Sequence, residues 1–298
     1  MVLDAFSFPF IIPWAVSLVA IIVGSWNDIR TREVPDWMNF SLLAFGITFG
    51  VLVSLIYWDY HPLLYSLTGL VICVAIAYFM YYTGQWGGGD AKLLMGLGAV
   101  IGFNPSIFSG FSIFRMSVLF DFIVNLILAG AVYGFFFVII LAFVKRKQFY
   151  PAFRMKAGKL RGLRYAAWAV GIFGVLSFFF LSPPFNYLTF ALAAGLFFMF
   201  YLWIIAKTVE HTCMTKEVPI QALTEGDWIL KDVIVSGKRI TGPKDLGISK
   251  EQIAELLRLK KQKKISKIWI KIGIPFVPSF LFGFLITTFL PHWYLYFF

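Results

Sequence analysis

The sequence has 298 residues, of which 60% are hydrophobic and 14% are charged, and its formal net charge at pH 7 is +11. A soluble domain has roughly half apolar and one quarter charged residues, so the composition excludes an ordinary water-soluble fold. The positive charge does not indicate a nucleic-acid partner, because the sequence contains no elements that read bases or the phosphate backbone.

Long uncharged blocks recur along the chain, and most are close to the ~20 apolar residues that cross a bilayer core. They predict an all-α polytopic membrane protein with about eight transmembrane helices. The fourth segment is the shortest and could be a half-span. In chain order the predicted segments are Phe8–Trp26, Met38–Tyr57, Leu63–Tyr82, Ala91–Phe103, Leu119–Val144, Tyr165–Leu181, Tyr187–Ala206 and Ile268–Leu290.

The positions of the basic residues predict the orientation in the membrane. With eight spans, four connections share one side, and they hold all Lys and Arg residues except Lys92, Arg115 and Lys271, the last of which lies at the foot of the final helix. The positive-inside rule places this side in the cytoplasm and both termini outside. We expect the basic connection 145–164 to contact anionic lipid head groups. The four connections are 27–37, 83–90, 145–164 and 207–267.

The last connection predicts a small α+β cytoplasmic domain before the final helix. Trp228–Val235 is predicted to be a strand that enters a turn, and Ser249 with Gln252 forms a capping box for a helix that runs through Lys264. The predicted domains are therefore a membrane domain over 1–206, a cytoplasmic domain over 207–267 and a C-terminal transmembrane helix over 268–298.

Two acidic residues follow odd-numbered predicted helices. Asp28 comes after the first segment and Asp90 after the third, so both lie on the same membrane face whichever way the protein is oriented. Ionisable residues that border membrane helices are candidates for function. Two carboxylates at matching depth can activate a water molecule for peptide hydrolysis, with one as base and the other as acid. We predict that Asp28 and Asp90 are a catalytic pair.

The run Gly87, Gly88 and Gly89 directly precedes Asp90. Glycine permits positive φ and close approach of another chain, so these three residues are predicted to shape the loop or accommodate an extended substrate.

Structural interpretations of the two acids remain open at this point. Asp90 could simply cap a helix. Asp28 could form an interfacial ion pair with Arg30 or Arg32. Asp36 is predicted to cap the second helix.

The pattern Gly87-x-Gly89-Asp90, together with the upstream Asp28 and the Pro35-Asp36 pair, resembles the type IV prepilin peptidases, which are GxGD membrane aspartyl proteases. The resemblance covers about residues 10–144, which would be the catalytic part. The tail Gly273-Ile274-Pro275-Phe276-Val277-Pro278 resembles that of archaeal members, which process pilin-like and archaellin precursors.

The resemblance implies removal of a short basic leader at the cytoplasmic membrane face. Bacterial members commonly carry a four-cysteine element and N-methyltransferase activity. This chain has only Cys73 and Cys213, so we expect a peptidase without methylation, without a metal and without a cofactor.

Other hypotheses come from different classes. Glycine breaks and acidic residues in membrane helices also build ion sites in transporters and channels. A presenilin-like intramembrane protease would pair the motif with Tyr-Asp, whereas Asn27 precedes Asp28 here. The role of region 145–206 is open.

Overall fold

The computed structural model describes residues 11–104, 117–235, 237–245, 247–262 and 265–294. Contacts divide the chain into two compact units. The first consists of Met1–Gly134 with Gly273–Phe298, and the second is Phe135–Ile272. The domain boundaries expected at residues 206 and 267 stay predictions.

The described residues are mostly helical. The helices are α1 (Ile11–Thr31), α2 (Asp36–Tyr57), α3 (His61–Tyr82), α4 (Gly88–Ile101), α5 (Val118–Val144), α6 (Arg146–Lys159), α7 (Arg161–Phe180), α8 (Phe185–Thr212), α9 (Lys250–Lys261) and α10 (Val277–Phe289).

Six of the described helices, namely α1, α2, α3, α5, α7 and α8, are long and apolar enough to cross a membrane. The chain is therefore a multi-pass membrane protein. A helix lies at each of the eight predicted segments, but α4 has 14 residues and α10 has 13, fewer than the ~20 that span a bilayer core. The predicted count of eight transmembrane helices is therefore not confirmed.

The start of the last predicted segment was wrong. Strand β5 occupies Lys267–Lys271, and helix α10 begins only at Val277. Ile268 is buried and Trp269 is exposed, which is the two-residue alternation of a strand with one covered face. Pro275 separates this strand from the helix because proline removes a backbone donor.

Helix α4 is short but deeply buried, with Leu93, Leu94 and Leu97 at 0% exposure. Its backbone lies very close to that of α3. A Cβ atom on Gly69 of α3 would stand 2.2 Å from the carbonyl oxygen of Gly98 in α4. Small residues at such crossings allow tight van der Waals packing, which drives helix association in membranes. This packing fixes the position of α4 and of the acidic residue in its first turn.

A buried polar cluster joins α5 to the C-terminal end of α10. The side-chain amide of Asn125 donates to the hydroxyl of Thr287 at 3.0 Å, and the indole N–H of Trp293 donates to the Asn125 amide oxygen at 2.9 Å. The hydroxyl of Tyr294 donates to the carboxylate of Asp121. Asp121 and Asn125, one turn apart on α5, thus hold α10 and the residues that follow it.

The second unit contains α6, α7 and α8. Helix α6 lies within the basic connection 145–164, where the sequence predicted only a connection. Helices α7 and α8 pack against each other through Gly174 and Ala193, where an added Cβ on the glycine would lie 2.4 Å from the alanine Cβ.

The second unit also contains the small α+β part that the sequence predicted. Its strands are β1 (Thr215–Pro219), β2 (Trp228–Ile229), β3 (Val233–Val235), β4 (Lys238–Thr241) and β5, and they form an antiparallel sheet of order β1-β5-β2 and a β3–β4 pair.

The capping box at the start of α9 is confirmed. The Ser249 hydroxyl accepts from the Gln252 N–H at 3.3 Å, and the Gln252 side chain accepts from the Ser249 N–H at 2.9 Å. The single strand predicted over Trp228–Val235 is divided between β2 and β3. Lys264, the expected end of α9, lies outside the described residues.

Asp121→Asn should destabilise the first unit. Asp121 is 1% exposed, accepts from Tyr294 and lies 2.7 Å from His292 Nδ1. Hydrogen bonds to a charged group contribute about 2 kcal/mol each, so the melting temperature in detergent should fall clearly. Asp59→Asn is the control, because Asp59 pairs with His61 at the surface and its replacement should leave the melting temperature almost unchanged. Equal melting temperatures for the two variants would contradict a stabilising role of the cluster.

Candidate active site

Asp28 lies in the last turn of α1 on that helix's buried face. The buried residues Ile21, Gly24, Ser25 and Asp28 follow one another at helical spacing, so the acid continues an otherwise small and apolar stripe. Asp28 is 5% exposed. The sequence placed it after the first span, whereas the structure places it inside the helix.

The carboxylate of Asp28 meets the start of α10. Its Oδ2 accepts a hydrogen bond from the backbone N–H of Val277, the first residue of that helix, at 2.9 Å. The backbone N–H of Phe276 also contributes, and Arg32 is the nearby positive charge. The hypothesis of an interfacial ion pair does not by itself account for Asp28, because its carboxylate accepts a hydrogen bond from a buried backbone amide.

The segment before α10 is held by its own contacts. The guanidinium of Arg32 donates to the carbonyl oxygen of Gly273 at 2.9 Å. The ring of Phe276 lies 5.5 Å from that of Trp86 and fills the space beside Gly130, where a Cβ atom would lie 2.6 Å from it. These contacts fix the amide groups that face Asp28.

Asp90 lies in the first turn of α4, outside the six apolar spans. Its Oδ2 accepts from the backbone N–H of Gly87 at 3.1 Å, so the capping interpretation describes part of its role. The pKa of the Asp90 carboxyl is raised to about 7, because burial and the negative charge of Asp28 together outweigh the Gly87 N–H, which acts in the opposite direction. The two acids therefore act on each other electrostatically.

The glycine run matters because it lacks Cβ atoms, and not because its residues adopt unusual backbone angles. Gly87 has φ of −73°, and Gly88 and Gly89 begin the helix, so none of the three uses positive φ. A Cβ atom on Gly89 would stand 3.0 Å from Cβ of Val34, whereas one on Gly88 would meet nothing closer than 3.8 Å. Gly89 thus allows the α1–α2 connection to approach the turn that carries Asp90.

Asp36 does not cap α2 as expected. The residue before the helix is Pro35, with no side-chain cap, and Asp36 instead forms an ion pair with Lys92 at 2.6 Å. Lys92 in turn lies 5.6 Å above the ring of Phe40.

The sequence did not indicate that the backbone amides of Phe276 and Val277 donate hydrogen bonds to Asp28. Pro278 beside the apolar run was a helix-start signal, but nothing in a sequence tells which acceptor a free backbone amide meets. Among the described residues, no group of three or more His, Cys, Asp or Glu side chains could hold a metal ion.

Residues 15–145 match the model of the type IV leader peptidase family, and this range includes Asp28, Asp90 and the glycine run between them. Over this range the chain is similar to that family. The remaining residues include α10, which supplies the partner of Asp28 within the same compact unit.

Curated relatives of this chain are described as preflagellin or prepilin peptidases. The preflagellin peptidase of Methanococcus maripaludis is 38% identical over 90 residues, which are 30% of this chain and 39% of that protein. The preflagellin peptidase of Methanocaldococcus jannaschii is 34% identical over 90 residues, 30% of this chain and 38% of that protein. Prepilin peptidase EppA of Methanothermobacter thermautotrophicus is 24% identical over 94 residues, 32% of this chain and 24% of that protein. The match to the preflagellin peptidases spans about two fifths of their length.

Gly89→Ala should weaken the leader-peptide hydrolysis that we propose for this chain. The new Cβ atom would push the first turn of α4 away from Val34 and displace Asp90 relative to Asp28. A misplacement near 1 Å costs about a hundredfold, so kcat/KM should fall at least tenfold or so. Gly88→Ala is the matched control in the same turn and should retain activity. Equal kcat/KM values for both variants would show that the Gly89–Val34 approach does not matter.

Proposed function

We propose that this chain is a membrane aspartyl endopeptidase with Asp28 and Asp90 as its catalytic pair. One observation carries the proposal: within the family-matched range, two acids from separate helices act on each other electrostatically while each accepts a backbone N–H. Carboxylates that share a site and differ in environment are the arrangement that acid–base hydrolysis requires.

The chemistry needs only the two acids and water. The ionised carboxylate takes a proton from a water molecule as its oxygen bonds to the scissile carbonyl carbon, and the protonated carboxyl donates its proton to the carbonyl oxygen. When the tetrahedral intermediate collapses, the C–N bond breaks, the leaving amine takes the proton that the first carboxylate had removed from water, and the hydroxyl proton returns to the second carboxylate. An acid with a pKa near 7 is suited to hold that proton at neutral pH.

The proposed substrates are pilin-like or archaellin precursors with a short basic leader ahead of an apolar helix. The names of the preflagellin and prepilin peptidase relatives support this class. The chain holds two cysteines, both buried, so we propose cleavage without N-methylation.

The proposed location of the acids is the cytoplasmic face, supported by the distribution of Lys and Arg along the chain. Helix α6 contains Lys147 and Arg154, both exposed, and we propose that it contacts anionic head groups at roughly 1 kcal/mol per basic residue near the surface.

Asp28→Asn and Asp90→Asn should each lower leader cleavage by at least about a hundredfold, because each removes one half of the acid–base pair. Purified protein would be incubated with a synthetic leader–helix peptide, and products would be identified by mass spectrometry. Asp36→Asn is the matched control, since Asp36 is an exposed acid paired with Lys92. Full cleavage by either catalytic variant, with normal melting temperature, would refute the assignment.

Cysteine labelling tests the orientation. Glu33→Cys, in the α1–α2 connection, should react with an impermeant maleimide only after cells are permeabilised. Tyr60→Cys, which replaces an exposed residue between α2 and α3, should react in intact cells. Both native cysteines are buried and give little background. Labelling of Glu33→Cys in intact cells would contradict the cytoplasmic placement.

A further inference from the structure

The first backbone N–H groups of α10 face the buried carboxylate of Asp28. The first N–H groups of any α-helix lack partners within the helix, and its N-terminus carries partial positive charge. At α10 the Val277 N–H finds Oδ2 of Asp28 at 2.9 Å, and Phe276 contributes a second backbone N–H. Val277 is fully buried, so water does not compete for this contact.

The ionisable groups around Asp28 come from three elements. Arg32 approaches from the end of α1, Tyr133 from α5 and Asp90 from α4. The facing residues at the start of α10, Phe276 and Val277, contribute backbone N–H groups and apolar side chains. Burial of Asp28 opposes its charge, whereas the N-terminus of α10 and the Arg32 guanidinium both favour the carboxylate form.

Asp90 has the opposite surroundings. Asp90 accepts a hydrogen bond from the Gly87 N–H, and the charge that acts on it is the negative one of Asp28. Burial and a like charge both favour the protonated carboxyl. Two acids with such different environments divide the roles of base and acid between them.

We propose that the backbone amides at the start of α10 keep Asp28 ionised, so that Asp28 is the general base and Asp90 the general acid. This assignment rests on the proposed function and adds α10 as a positioning element of the site. The Arg32–Gly273 hydrogen bond and the Phe276 ring beside Trp86 and Gly130 hold these amides in place.

Replacing the Val277 amide by an ester tests the assignment with minimal change of shape. Incorporation of the α-hydroxy analogue of valine at 277 removes the N–H and leaves the side chain. Because this donor favours the carboxylate, its loss should move the acidic limb of the kcat/KM–pH profile up by about one unit, equivalent to about a tenfold loss on that limb. KM at the pH optimum should change little.

The control is the same ester at Leu281, inside α10. It removes a backbone donor from the helix but none that faces Asp28, so the acidic limb should stay in place. An unmoved limb in the Val277 ester, or an equal shift in both esters, would overturn the proposal.

Infrared spectroscopy gives a readout that needs no activity. At pH 6 the protein should show the C=O stretch of a protonated carboxyl, which Asp90→Asn should abolish and Asp28→Asn should leave. Loss of the band in Asp28→Asn and its persistence in Asp90→Asn would reverse the assignment. If these bands behave as expected but no leader peptide is cut, the division of protonation stands and the proposed peptidase function fails.

Discussion

The first unit depends on the hydrogen bond between Asp28 and the start of α10. A carboxylate removed from water is costly unless it finds donors, and the first amides of a helix are equally costly when buried without an acceptor. Asp28 and the Val277 N–H satisfy each other at 2.9 Å. Because neither group can be buried alone cheaply, this contact fixes where α10 begins relative to the end of α1.

The second acid is positioned by packing rather than by a strong polar partner. Helix α4 is held by backbone contact through Gly98, and its first turn approaches Val34 through Gly89. A constellation of side chains keeps its geometry when its supports are rigid elements. Each acid thus has its own support: a helix N-terminus for Asp28 and close glycine packing for Asp90.

The sequence predicted much of this arrangement. Apolar blocks located each of the six long helices among the described residues, and helix parity placed Asp28 and Asp90 on one membrane face without knowledge of their contacts. The start of the last helix was misplaced because Ile268, Trp269 and Ile270 are as apolar as a membrane span, and only pairing with β1 and β2 makes them a strand. The partner of Asp28 could not be predicted, since a backbone amide is common to nearly every residue.

Asp28 and Val277 lie far apart in the sequence, and this separation has a consequence for biosynthesis. The helix that carries Asp28 is made early, whereas Val277 follows the whole of Phe135–Ile272. Until the ribosome has passed that residue, Asp28 lacks its amide donor, and a buried acid without donors binds a proton instead of remaining charged. On the proposed mechanism, a partly synthesised chain therefore lacks the ionised base. Peptidase activity would then begin only once α10 has joined the first unit.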